Sequence, residues 1–166
     1  MPAALVQPSS KPVGLYLPAA LTAYRYEEKS DTRGHWSIDL GSAQSAMMRQ
    51  VMTDLFSNLK ILTSDNTTEV DVVMTPTLTR SQFSTPSETG LEHYEAWLEY
   101  QIDFSLGSGQ SALPWRVSGY GQAPKLRLGG TEAQLKSALE LALRNVGAKI
   151  ATQLRSHEPL RKALEP

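Results

Sequence analysis

The sequence predicts an α+β fold, a two-layer sandwich in which a mainly antiparallel sheet of about five or six strands packs one face against two helices. Three stretches carry that prediction. From Tyr94 to Leu106, YEAWLEYQIDFSL, the residues Tyr94, Ala96, Leu98, Tyr100, Ile102, Phe104 and Leu106 alternate with Glu95, Trp97, Glu99, Gln101, Asp103 and Ser105. A period of two sustained that long describes a strand with one buried and one wet face. From Ala43 to Leu59, Met47, Met48, Val51, Met52, Leu55, Phe56 and Leu59 recur at three- and four-residue spacings, the stripe of an amphipathic helix. Past Gly129 and Gly130, Leu135, Ala138, Leu139, Ala142, Val146, Ile150 and Leu154 make a second such stripe.

Composition bounds the classes the chain can belong to. At 166 residues it fits one domain, and a domain of that size buries roughly 70% of the surface of its unfolded chain, enough for stability without staples. With 16 Lys+Arg against 17 Asp+Glu and no basic face, the phosphate neutralisation that drives nucleic-acid binding has no basis, so no nucleic acid is expected as a partner. The absence of cysteine removes disulfides, thiolate metal sites and a cysteine nucleophile. No apolar run reaches the ~18 to 20 residues of a membrane span, and Met1 to Ser10 lacks the basic and apolar regions of a secretory signal. The expectation is a cytosolic protein, or one whose signal has been removed.

The elements follow in order. Met1 to Pro12 mixes Pro, Ser and Ala without periodicity and reads as a leader or tether; residues 13–155 read as the single domain and 156–166 as a tail. Val13 to Leu17 is a short apolar strand stopped by Pro18. Ala19 to Gly34 loses the pattern and reads as an exposed loop or ragged hairpin. Trp36, Ile38 and Leu40 alternate into a second strand, and Ser42 is the expected N-cap of the first long helix. Methionines on that helix suit either an adaptable groove or ordinary core, and core is the simpler account. Lys60 to Thr63 starts another strand, Ser64 to Glu69 turns, and Val70, Val72 and Met74 lead a strand that continues over Thr77 to Phe83 past a bulge at Pro76. Ser84 to Gly90 reads as a loop.

After the long strand, Gly107 to Gln110 reverses the chain into Trp115, Val117 and Gly119, with Arg116, Ser118 and Tyr120 opposite. That hairpin is expected at the middle of the sheet. Gly119 and Gly121 point to a twist, a bulge or the close approach of a helix. Thr131 and Gln134 match a capping box for the second long helix. In the tail, Leu160 and Leu164 stand at helical spacing, as a short helix or a frayed end.

The element order, with the stretch WRVSGYG from Trp115 to Gly121 and a helix starting just past LGG, resembles the soluble domains of small Gram-negative outer-membrane lipoproteins, the assembly- and transport-associated group. The resemblance spans about Val13 to Leu154. It implies a non-enzymatic periplasmic domain, held at the outer membrane by a lipidated cysteine just before this chain, with the Pro/Ser leader as spacer. It implies an envelope protein complex as partner, assisted through protein–protein contacts.

No catalytic constellation stands out, and no cofactor or metal is expected. His93, Glu95, Trp97 and Glu99 would share a strand face, but one histidine among carboxylates is more simply a solvated polar face than a metal site. GSGQS around Ser108 and SGYG around Ser118 do not match G-x-S-x-G. What remains is recognition: Tyr24, Tyr26, Trp36 and Trp97 are the candidate partner-binding residues, as an exposed aromatic patch. The alternative is a carrier that holds a lipid or other hydrophobic ligand in a cleft between helices and sheet. An uncovered sheet face or edge also invites a homo-oligomer.

Overall fold

The computed structural model describes residues 9–30, 34–65, 69–126 and 130–164. In chain order the elements are β1 (Val13–Tyr16), α1 (Ala19–Thr22), β2 (Arg25–Ser30), β3 (Gly34–Asp39), α2 (Gly41–Leu55), β4 (Leu59–Leu62), β5 (Val72–Ser84), α3 (Pro86–Thr89), β6 (His93–Leu106), β7 (Ser111–Pro124), α4 (Thr131–Gln153), a 3-10 turn (Leu154–Ser156) and α5 (Glu158–Leu164). Five strands form the main sheet in the order β4-β1-β5-β6-β7, and β2 with β3 forms a separate two-stranded sheet.

The main sheet is mixed. β5, β6 and β7 are antiparallel neighbours, whereas β1 runs parallel to both β4 and β5. The central strand is therefore β5, and the β6–β7 hairpin lies toward one edge instead of the middle. The cause is the connection after β1: it passes through α2 before reaching β4, and a crossover of that kind brings the next strand back parallel. Val13, Gly14 and Leu15 are all buried, as a short parallel strand covered on both faces requires.

The two crossovers use opposite faces. From β1 to β4 the chain passes through α2, and from β4 to β5 it steps back across β1 in the reverse direction. Two right-handed crossovers of opposite direction must lie on opposite sides of a sheet. The packing of Gly14 agrees: its missing Cβ would come 2.5 Å from Leu62 Cδ1 and 3.2 Å from Val70 Cγ2, on the face away from the helices. That face is thus roofed over β1 and the start of β5, where Val73 is fully buried, and open over the rest of β5, β6 and β7.

β6 alternates as its sequence dictates. Tyr94, Ala96, Leu98, Tyr100, Ile102 and Phe104 are buried, and both long helices lie on their side. For α2 the link is polar: the buried Tyr100 hydroxyl donates to Gln44 Oε1 at 2.8 Å, and Gln44 Nε2 donates to the Leu21 carbonyl at 2.6 Å. For α4 the link is contact with glycine. A Cβ on Gly121 would meet the Ala138 carbonyl oxygen at 2.0 Å, and one on Gly119 the Ala142 carbonyl oxygen at 2.4 Å. Of the three readings of these glycines, close approach by a helix is the one realised.

Local details depart from the sequence-based expectations. Ser42 is not the N-cap of α2; Leu40 is, and the Asp39 carboxylate serves the first turn by accepting from Ser42 N at 3.4 Å and Ser42 Oγ at 3.3 Å. α2 ends at Leu55 because the next residues pair with the start of the chain: Ser9 N donates to Leu55 O at 3.0 Å, and Ser57 N to Ser9 O at 3.0 Å. Residues 9–12 of the expected leader are thereby tied to the domain, while residues 1–8 lie outside the described residues. Pro76 stays in register opposite Ile102, and the bulge falls between Leu78 and Arg80. β1 pairs with β5 only as far as Met74, two residues short of Pro76, which has no N–H with which to extend that ladder.

Ser84 to Gly90 contains α3, capped by Thr85 and Glu88 in a capping box. At α4 the box expected of Thr131 and Gln134 is absent, since Gly130 is the N-cap. Gln134 turns instead to Leu126, accepting from its N–H at 2.8 Å. α5 anchors the tail: Leu160 is fully buried, and the His157 ring stacks on Phe104 with centroids 5.4 Å apart.

Candidate functional site

The bare face of β5–β6–β7 is built in rows by strand register. Gln82, Trp97 and Tyr120 form one row, Ser84, Glu95 and Gln122 the next, and Arg80, Glu99 and Ser118 the row on the other side. Trp97 is 44% exposed and Tyr120 38% exposed, with ring centroids 5.8 Å apart and planes tilted by 58°. Two large aromatic side chains held side by side in water among polar neighbours leave apolar surface unburied.

Hydrogen bonds fix the pair in place. The Tyr120 hydroxyl donates to Glu95 Oε1, with Gln122 Oε1 at 3.5 Å, and His93 Nε2 lies 3.3 Å from the same Glu95 oxygen. The bond to Glu95, helped by desolvation and by the carboxylate charge, pushes the Tyr120 phenol up to about 12. Arg80 donates to Gln82 Oε1 at 3.0 Å. Beside Trp97, on the β5 side, these residues leave a groove of ≈ 260 Å³ lined by Arg80, Gln82, Ser84, Glu95, Trp97 and Tyr120. Aromatic walls and planar polar groups of this kind bind by stacking and hydrogen bonding.

The four residues singled out from sequence do not come together. Tyr24, Tyr26 and Trp36 gather on the covered side of the sheet around Phe83, with Tyr26 stacked on Trp36 at 5.3 Å and packed edge-on to Phe83 at 4.7 Å. The Tyr24 hydroxyl is 2.9 Å from Ser81 Oγ. Trp36 is buried, and its indole N–H has no acceptor among the described residues. These three residues fasten the β2–β3 hairpin to the end of the sheet; Trp97 alone stands on the open side. Tyr120, Gln82 and Ser84 were missed because their meeting with Trp97 depends on register. A shift between Ile102 and Phe104, where β7 carries extra residues around Leu113 and Pro114, and the bulge after Leu78 set that register, and counting along the chain reveals neither.

Two further grooves lie on the outer surface of the helical layer. One, of ≈ 340 Å³, runs between Met47 and Gln50 of α2 and Leu143 and Arg144 of α4; the other, of ≈ 500 Å³, lies under β3 against Glu132, Lys136 and Leu139 of α4. Neither enters the space between helices and sheet. There the Gly119 and Gly121 contacts leave no room for a methyl group, and Met48 and Met52 are fully buried core.

No family model and no curated protein matches the chain. Among solved structures it is similar to rare lipoprotein B from Shewanella oneidensis, at 16% identity and a TM-score of 0.46, covering 90% of this chain and 98% of that one. It is similar also to the hypothetical protein CT253 from Chlamydia trachomatis, at 10% identity and a TM-score of 0.48, covering 89% and 98%. Likeness at this level identifies neither a family nor a function.

Proposed function

We propose that the protein is a non-enzymatic module of the bacterial envelope, which assists an assembly or transport machine by binding, and that the open face of β5–β6–β7 is its contact surface. The observation that carries the reading is the half-exposed Trp97–Tyr120 pair, held by Glu95 at the centre of a face whose other side is sealed by α2 and α4. The element order read from sequence supports the envelope assignment: strands, helix, antiparallel strands and helix follow one another as expected, with β2 and the short helices α1, α3 and α5 added. In this reading the domain stands in the periplasm, tethered to the outer membrane through a lipid anchor upstream of the chain. No described helix is long and apolar enough to cross a membrane.

Photo-crosslinking tests the contact surface. With p-benzoylphenylalanine at position 82 or 97, cells expressing the protein are expected to yield discrete adducts, while the same probe at position 140, in the groove between α2 and α4, yields none. Adducts from position 140 alone would assign recognition to the helical layer and reject the proposal.

A further inference from the structure

The groove beside Trp97 has more spare donors than spare acceptors, with Glu95 Oε2 the carboxylate oxygen left open. Glu95 Oε1 is taken by Tyr120 and His93, and Gln82 Oε1 by Arg80. Among the described residues the Trp97 indole N–H, the Gln82 amide N–H groups, the Ser84 hydroxyl and the remaining N–H groups of Arg80 have no protein partner, and all four side chains line the groove. A complementary ligand offers apolar rings and more carbonyl oxygens than N–H groups. A polyproline II segment has that character: proline has no N–H, its carbonyls point outward, and its ring packs on aromatic faces.

We propose that the open face binds an extended proline-rich segment of a partner protein, with Trp97 and Tyr120 walling the proline rings and Arg80, Gln82 and Ser84 donating to the carbonyls. The inference rests on the reading of this face as the contact surface. Main-chain recognition at the adjoining edge is obstructed. Lys149 Nζ donates to Ser118 O at 2.7 Å, and the Tyr120 N–H donates to Asn145 Oδ1 at 3.4 Å, so α4 occupies two of the hydrogen-bonding groups an added strand would need beside this face. Pro124, at the end of β7, has no N–H to offer. Side chains on the face are left as the means of recognition. Arg80, Gln82 and Ser84 are alternate residues of β5 and span about 13 Å, which about four residues of polyproline II cover at ~3.1 Å each.

The test uses the three tryptophan indole N–H signals in NMR spectra of the full chain, with the Trp97 signal assigned by its loss in Trp97→Phe. Decaproline is expected to move the Trp97 signal saturably and leave Trp36 still. Tyr120→Ala and Gln82→Ala should each weaken binding about tenfold, and Lys162→Ala, on the exposed side of α5, should not change it. An alanine decamer with solubilising ends is expected to have no effect. No shift at millimolar decaproline, an equal shift with the alanine peptide, or a response only to a maltohexaose control would each overturn the proline assignment. If crosslinks from position 97 persist in any of those cases, the face remains a contact surface and only its ligand class is wrong; if they fail too, both proposals fall.

Discussion

Replacing Tyr100 by phenylalanine removes one oxygen and strands another. Gln44 Oε1 would lose its donor in a fully buried site, and an unsatisfied buried acceptor costs about 1–3 kcal/mol. Tyr100→Phe is therefore expected to lower the stability at pH 8 by that amount in urea melts. The same residue sets an alkaline limit. Burial holds the Tyr100 phenol well above its ordinary value, whereas in the unfolded chain it ionises near pH ~10. A raised folded value means the stabilisation is whole below the unfolded value and is lost as pH climbs beyond it, because the unfolded state releases a proton the folded state keeps. Above pH ~10 the wild type should lose about 1.4 kcal/mol per pH unit more than Tyr100→Phe. Parallel decline of the two proteins would show that the phenol is not shielded.

At the scale of elements, the seam between β7 and α4 is the tightest joint. Gly121→Ala would place a methyl group against the Ala138 carbonyl oxygen and the Ala142 nitrogen, both backbone atoms that cannot swing aside. The expected cost is about 3 kcal/mol or more by thermal or urea unfolding. Gly109→Asn, at a positive φ of 78° in open space, is expected to cost far less. The edge beyond this seam yields a separate expectation. The double variant Asn145→Ala and Lys149→Ala would uncover the Tyr120 N–H and Ser118 carbonyl, and light scattering should then record concentration-dependent association absent in the wild type. Unchanged scattering would mean that the exposed side chains of β7, not α4, protect the edge.

The long elements were legible because each carries its own period. β6 and α4 announce themselves over more than a dozen residues, and the glycines of β7 mark a twist, a bulge or a close approach, of which the structure realises the last. The β2 strand was not legible: Tyr26 is its only large apolar residue, and it and the preceding Tyr24 find partners only once Phe83 and Ser81 arrive from β5. The parallel placement of β1 was hidden for a similar reason, since strand order is decided by crossovers and not by any residue within the strand. Of the candidate site, Trp97 and the wet face of β6 were legible, while Tyr120 and the β5 row required the register.

For the molecule as a whole, the account depends on a sheet with one sealed and one open side. The chain contains no cysteine, so single cysteines can be placed along β6 and their reaction with a thiol reagent followed one at a time. Positions 95, 97, 99 and 101 are predicted to label rapidly in the folded protein, and positions 96, 98 and 102 only at the rate of unfolding. Comparable labelling of both sets, or protection of the 95–101 set, would contradict the one-sided sheet and the contact surface assigned to it.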